Sequence, residues 1–513
     1  MSSALSCLRL IIWGSLFWSQ AKLHAAPSIE DKFNQMVPGG VITLDMIVDL
    51  GYRFSDGVGQ LKADLEAQEV PVLFAQQNLD GLLSSTLAHA VDKRQQSSQF
   101  AAQVDSAQDL SVSYQKNFQS GTSLSTSLST QRSDLSFSTP TAAVPGKYTS
   151  EVQFTVRQSL WKNAFGKAVK ADLLSAKHKK ELIKHQYQLA LAQWFLQLEQ
   201  IYHQAWLAQK SVANASDRVK TQKRLLKVIK LLKRRGTAEE ADVLNVEQNL
   251  LRLQQGERAS REALRSVWQQ LVIVLKLPEE FLQVNPMKVR IAPSQFRSEL
   301  ASLCQPSSLE RMNGESSPRI ALLNKAVKSA ELDLQGSQSR FDPDLYVAAS
   351  LGSNGIDDSI GTTIGDAVGF GNPNYSVAVG IDMPLGRSAS KADIIDKKKV
   401  LAKARLNLSS QKADTKIAWR TTCDRVKGVQ KDMAMYRQML SLNKKRSRLE
   451  EKRFSLGKSD VQTVIAAAND VILSQASLAS AELNFINGVW RLKELNGDVE
   501  GFIKSAVKNS KLR

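Results

Sequence analysis

The stretch NYSVAVGIDMPLGRSASKADIIDKKKVLAKARLNL, residues 374–408, changes its periodicity part-way along. Tyr375, Val377, Val379, Ile381 and Met383 alternate with Ser376, Ala378, Gly380 and Asp382. A period of two with one apolar side marks a strand whose faces meet different surroundings. After Pro384-Leu385-Gly386 the alternation gives way to an Ala-, Lys- and Leu-rich run of helix-favouring residues. A short strand, apolar on one face, therefore runs straight into a helix.

The same transition occurs earlier. Val152, Phe154 and Val156 alternate with Gln153, Thr155 and Arg157, a corner follows at Gly166, and a Lys/Ala-rich helical run begins. Each helical run continues for about seventy residues to a second glycine, from Gly166 to Gly236 and from Gly386 to Gly457. At 1.5 Å per residue such a helix is about 100 Å long, far beyond an ordinary globular helix. Glycine supplies the left-handed conformation that ends a helix cheaply, so each run should turn sharply there. A returning helix follows in both copies and ends in a Trp-containing segment, at Trp268 or Trp490. Val461, Val464, Ala468, Val471, Gln475, Leu478, Glu482, Phe485, Val489 and Leu492 keep a 3–4–3–4 spacing, as do Val243, Val246, Leu250 and Leu253, then Leu264, Val267, Leu271 and Val274. That spacing is the seam of a helical hairpin. The chain thus reads as a signal segment over 1–25, a first repeat over 26–285 and a second over 286–513.

The composition agrees with this plan. Among 513 residues, 23% are charged but only 6% aromatic, which suits long polar helices better than several compact cores. Arg9 precedes the apolar run Leu10–Trp18, and small residues at Ala21, Ala25 and Ala26 follow, the layout of an export signal cleaved near Ala25. No later segment reads as a run of roughly twenty apolar residues, the length a transmembrane helix needs. Beyond the signal only Cys304 and Cys423 remain, too few for a disulfide framework; an oxidising compartment would allow one disulfide, but Cys423 lies in a helical pattern and two free thiols are the default expectation.

An exported chain without a membrane helix is soluble or spans as a β-barrel. Each repeat has one strand pair: 109–118 with 152–156, and 345–349 with 375–383, joined by the Ser/Thr-rich link 119–147 and the Gly/Asn-rich link 352–374. Val152, Phe154, Val156, Tyr375, Val377, Val379, Ile381 and Met383 are then the lipid-facing residues. Four strands cannot close, because the smallest membrane barrels have about eight. Three copies would bring twelve.

These features together resemble the TolC-like outer membrane efflux proteins. The resemblance spans nearly the whole mature chain, from ITLDMIVDLGYRFS (42–55) to RFSLGKSDVQTVIAAANDVILSQASLASAELNF (453–485), and includes Pro384-Leu385-Gly386 and SPRIALLNKAVKSAELDLQGSQSRFDPDLYVAASLG (317–352). It implies a mainly α fold with a small transmembrane β part. Three copies would join into a twelve-stranded β-barrel continued by an α-helical barrel across the periplasm of a Gram-negative cell. Such a homotrimer serves as the passive exit duct of tripartite efflux pumps or type I secretion systems, with a periplasmic adaptor and an inner-membrane RND or ABC transporter as partners. It catalyses no reaction and needs no cofactor or metal.

The resemblance places a gate at the helix turns, around Gly236, Asp242, Phe454, Gly457, Asp460 and Thr463. An aspartate commonly stands six residues after the turn glycine; Asp242 keeps it, whereas the second repeat has Thr463 there and Ala466 where another acid often sits. Phe454 stands where a tyrosine hydroxyl often latches the gate, and Asp460 is the residue that could stand in for the missing acid. Gly166, Pro384 and Gly386 mark the strand-to-helix corners. Near the first turn Lys220, Lys223, Lys227, Lys230 and Arg234 form one helical stripe in a chain of formal net charge +18. It is either a solvated outer face, a dock for an acidic adaptor, or the lining of an anion-favouring mouth.

Other chemistry finds little support. His178, His185 and His203 share one helix without metal-ligand spacing and read as solvated. No nucleophile–base constellation stands out, and the export signal argues against nucleic acid. The competing function is a soluble periplasmic coiled-coil adaptor or scaffold, which would not need two strands with an unbroken apolar face.

Overall fold

The computed structural model describes residues 40–91, 103–136, 146–294, 299–313, 317–383 and 385–510. The export signal and Pro384 lie outside them. Three lead-in helices, α1 (Leu44–Phe54), α2 (Asp56–Glu66) and α3 (Val70–Gln77), precede strands β1 (Leu82–Ala90), β2 (Gln103–Asn117), β3 (Thr122–Ser136) and β4 (Tyr148–Ser159). The first long hairpin is α4 (Lys167–Arg234) with α5 (Glu240–Val274). Short helices α6 (Glu299–Leu303) and α7 (Pro306–Asn313) lead to α8 (Pro318–Arg340), then β5 (Asp344–Asp357), α9 (Ile360–Val368) and β6 (Pro373–Asp382). The second hairpin, α10 (Ser388–Ser455) with α11 (Val461–Asn496), is followed by α12 (Val499–Ser510). Both outgoing helices, α4 and α10, run for 68 residues, the length expected from the glycine spacing.

All six strands form one antiparallel sheet in the order β1-β2-β3-β4-β5-β6. This corrects the expectation of two strand pairs. The Ser/Thr-rich link is β3 for most of its length, so among the described residues the chain supplies six strands rather than four, and three copies would hold eighteen rather than twelve. Register makes the sheet two-faced. The row Leu83, Tyr114, Thr126, Phe154, Leu351 and Tyr375 lies on one face. The neighbouring row Gln115, Ser125, Thr155, Ser350 and Ser376 lies on the other. On β6 the apolar residues Tyr375, Val377, Val379 and Ile381 are 60–85% exposed. Among the described helices α9 packs across the sheet, against β4 and β5 on the apolar face, where Phe370 stacks on Phe154. Val152, expected to face lipid, is buried there instead.

The main core lies midway along the long helices. Phe195 of α4 meets Trp490 of α11 edge-on at 4.7 Å and Phe502 of α12 at 5.4 Å. Such aromatic pairs add to the burial of the rings themselves. Around them pack Ile47 of α1, Tyr202 of α4, Trp268 and Leu271 of α5 and Val489 of α11. The Tyr202 hydroxyl donates to the carbonyls of Ile42 and Ala292, holding the parallel ladder of Val41–Ile42 with Arg290–Ile291 against the helix. Both Trp-containing segments therefore close the core of their own repeat and of each other.

Three further expectations are corrected here. Cys304 and Cys423 form a disulfide, with Cα atoms 5.8 Å apart, fastening the loop after α6 to α10. His203 is not solvated: it is fully buried, its Nδ1 2.7 Å from Glu199 and its Nε2 3.2 Å from the Ser294 hydroxyl. The second seam holds at Val461, Val464, Leu478, Val489 and Leu492, which are buried, but between them Ala467, Ser474 and Ala481 are buried in place of their neighbours Ala468, Gln475 and Glu482. One helix, α11, is also long and apolar enough by length and composition to cross a membrane, which the residue-by-residue reading overlooked. It is paired with α10.

Candidate functional site

The two hairpin turns are built alike. Gly236 and Gly457 have φ of 72° and 71°. The residue after each glycine donates its N–H to a carbonyl five residues back, Thr237 to Leu232 at 3.0 Å and Lys458 to Arg453 at 2.8 Å. That closes the end of a helix as a left-handed cap does. The next helices start on acidic caps. Asp242 accepts from the Glu239 N–H at 3.2 Å in a reciprocal capping box, and Asp460 accepts from the Thr463 N–H at 2.8 Å. The Thr463 hydroxyl also donates to Asp460, and these bonds hold the Asp460 carboxyl below the usual carboxylate range. The two acids thus organise helix starts.

The structure brings the tips together through apolar contacts. Ile229, Val243 and Val246 of the first hairpin form one cluster with Phe454, Val461 and Val464 of the second. Phe454 is buried in this cluster rather than facing water. Above it Gln222 donates to the Val246 carbonyl at 3.1 Å, and Lys210 pairs with Glu482 across the hairpins at 2.6 Å.

All five residues of the basic stripe are exposed. Lys230 pairs with Glu247 at 2.6 Å and Lys220 lies 3.6 Å from Asp217, whereas Lys223, Lys227 and Arg234 make no ion pair among the described residues. No cluster of three or more metal-ligating side chains occurs among the described residues.

At the opposite end of α4 the chain leaves the sheet through a tight corner. Asn163, Phe165 and Gly166 all have positive φ, and the Asn163 carboxamide accepts from the Ala168 N–H at 2.8 Å to start the helix. Gly386, the matching corner residue, is not in that conformation, so the two corners differ. On the polar face beside the corner, Arg157 pairs with Asp344 at 2.7 Å and Asp382 at 3.2 Å and lies over Tyr346. This cluster was not singled out from sequence. Strand alternation, which puts all four on one side of the sheet, was the signal available.

No family model matches the sequence, and no curated protein matches it. Solved structures do match the fold. The outer membrane protein VceC of Vibrio cholerae superposes with a TM-score of 0.65 at 10% identity, over 88% of this chain and 96% of that one. The chain has the TolC-like outer membrane channel fold. The CmeC outer membrane channel of Campylobacter jejuni shares it at a TM-score of 0.64 and 11% identity, over 99% of this chain and 98% of that one. The open state of the MtrE outer membrane channel of Neisseria gonorrhoeae shares it at 0.59 and 13%, over 88% of each. Identity this low carries the fold, and the channel fold accounts for the long hairpins, the midway core and the sheet at one end.

Proposed function

We propose that the chain is an outer membrane channel that works as the exit duct of a tripartite efflux pump or a type I secretion system. In this reading it is exported, assembles as a homotrimer, crosses the outer membrane through its sheet and extends through the periplasm on its helices. A periplasmic adaptor and an inner-membrane RND or ABC transporter supply cargo and energy. The chain itself performs no reaction.

One observation carries the reading. An apolar sheet face with no long helix over it leads directly into helices of about 100 Å. In water that face would be a large unpartnered patch; in a bilayer it is the outer surface of a wall, with the polar rows lining an aqueous lumen. Exposed Phe118, Trp161 and Phe165 lie at the helix end of the strands, where barrels carry aromatic belts. A soluble scaffold with the same hairpins leaves this face unexplained.

Gating follows from the tips. Gly236 and Gly457 turn the helices, while Asp242, Asp460 and Thr463 fix where the returning helices start. Phe454 ties the two hairpins together. Opening the duct requires the second hairpin to part from the first, exposing that apolar cluster.

Detergent-purified protein in a planar bilayer tests the function. The reading predicts dependence on detergent for solubility and discrete channel conductance on reconstitution. A folded protein that stays monodisperse without detergent and gives no channels would establish the scaffold alternative.

A further inference from the structure

The sheet holds a hairpin that the helices do not require. Four helices per copy meet the strands: α3 leads into β1, α4 leaves β4, α8 leads into β5 and α10 leaves β6. Among the described residues strands β2 and β3 have no helix of their own. They join each other through residues 118–121 at the helix end of the sheet, the side where membrane barrels keep their short turns.

Three features make this hairpin a full member of the sheet. Its register is continuous, β2 pairing with β1 along nine residues from Leu82↔Gln115 to Ala90↔Ala107, and β3 pairing with β4 from Thr122↔Gln158 to Arg132↔Tyr148. Its turn is seated against the corner of α4: Gly121 has φ of 77°, and neither Gly121 nor Gly166 has room for a Cβ between Asn163 and Gln119. Its sidedness matches the rest, with Val112, Tyr114, Leu124 and Leu128 in the apolar rows and Ser113, Gln115, Ser125 and Ser127 in the polar ones. A soluble extension would have no need of that phase.

We propose that the β2–β3 hairpin is part of the membrane wall, so that each copy contributes six strands and three copies close an eighteen-stranded barrel. Outside the part of β4 and β5 that α9 covers, the occupant of the apolar face is lipid acyl chain. The two free edges of the sheet, β1 and β6, run in opposite directions and pair antiparallel between copies. An even total with all-antiparallel pairing satisfies every backbone group in the bilayer. Circumference supports the count. Strands about 4.8 Å apart and tilted about 40° take roughly 6 Å each, so eighteen span about 110 Å and twelve about 75 Å. Twelve helices at 8–10 Å spacing span roughly 100–120 Å. Eighteen strands make the lumen at the membrane wider than twelve allow.

This inference rests on the outer membrane reading, and one experiment separates the two. Single cysteines are placed at Val112, Leu124 and Leu128 and at Ser113, Ser125 and Ser127, and, as internal controls, at Val377 and Val379 and at Ser376 and Ala378. Each is spin-labelled, reconstituted in nanodiscs, and its collisions with oxygen, which dissolves in lipid, are compared with those of a water-soluble nickel chelate. The oxygen-to-nickel preference should invert at every residue along the hairpin, in phase with β6. Alternation on β6 with nickel access on both faces of the hairpin would place it outside the membrane and overturn the inference, leaving the channel intact. Alternation on β6 with neither probe reaching the hairpin would make it a plug packed inside the lumen, overturning it equally. Loss of alternation on β6 itself would remove the membrane reading on which both depend.

Discussion

Phe454 shows how one side chain at the tip can serve packing rather than a polar latch. Its ring is buried among aliphatic residues of both hairpins, so removing it leaves a cavity where they meet. Phe454→Ala should cost about 3 kcal/mol of local stability, in the range for a core aromatic. Amide exchange at 225–246 and 450–465 should then accelerate while exchange around Trp490 stays unchanged. Cys304 and Cys423 lie 119 residues apart, and closing a loop of that size removes much freedom from the unfolded chain. Cys304→Ser should lower the thermal midpoint, by a loss of about 2–5 kcal/mol, and dithiothreitol should do the same to the wild type but not to the variant. His178 gives a pH handle. Burial first, and Lys325 second, hold its imidazole below the usual range. Its folded state therefore binds fewer protons than the unfolded chain once the pH falls below the ordinary histidine value near 6.5. The stability lost as pH falls from there toward the depressed folded value should be recovered in His178→Gln, seen as a flatter acid limb in a plot of thermal midpoint against pH.

At the scale of the element, α11 packs on α10 through small residues. Ala467, Ser474, Ala481 and Gly488 recur every seven positions; the first three are buried, and a Cβ at Gly488 would run into Val426 of α10. Asn443 donates to the Ser474 hydroxyl at 2.7 Å across the same contact. Gly488→Leu should push the helices apart and reduce the yield of assembled protein, whereas Ala476→Leu, on the exposed side, should not. Size-exclusion profiles of the two variants decide this. The one-residue displacement at Ala467, Ser474 and Ala481 was not legible because Ala468 and Val471 fit a strict heptad, while the close approach is set by residues too small to register as apolar. Strand β3 escaped for a related reason: Leu124, Thr126, Leu128 and Thr130 alternate with serines, and threonine against serine is a weak contrast. The long helices and their turns were legible, because sixty-odd residues without a proline, interrupted only by Gly428 in the second, and a glycine at matching spacing leave few alternatives. The tip glycines could be placed from sequence, and Asp242 and Asp460 were singled out there as gate residues rather than as caps; the burial of Phe454 and the pairing of the cysteines could not be read, since both depend on contacts between distant segments.

For the whole molecule, charge asks what the proposed duct favours. The formal net charge is +18, and the exposed stripe Lys220, Lys223, Lys227, Lys230 and Arg234 gathers five cations on one helix close to the tip. Among the described residues only Lys230 and Lys220 of the stripe have acidic partners, so the rest of it acts on its surroundings uncompensated. If the stripe borders the mouth of the duct, it should raise the local anion concentration there. The reversal potential of single channels in a salt gradient should then report anion preference. Replacing all five residues with glutamine should move it toward cations. Screening gives an independent check: the Debye length shrinks from about 10 Å at 0.1 M to about 3 Å at 1 M, so the preference should fade at high salt in the wild type and change little in the variant. An unchanged reversal potential in the variant would remove the stripe from the ion path. Adaptor binding measured on the same variant would then show whether those cations serve a protein surface instead.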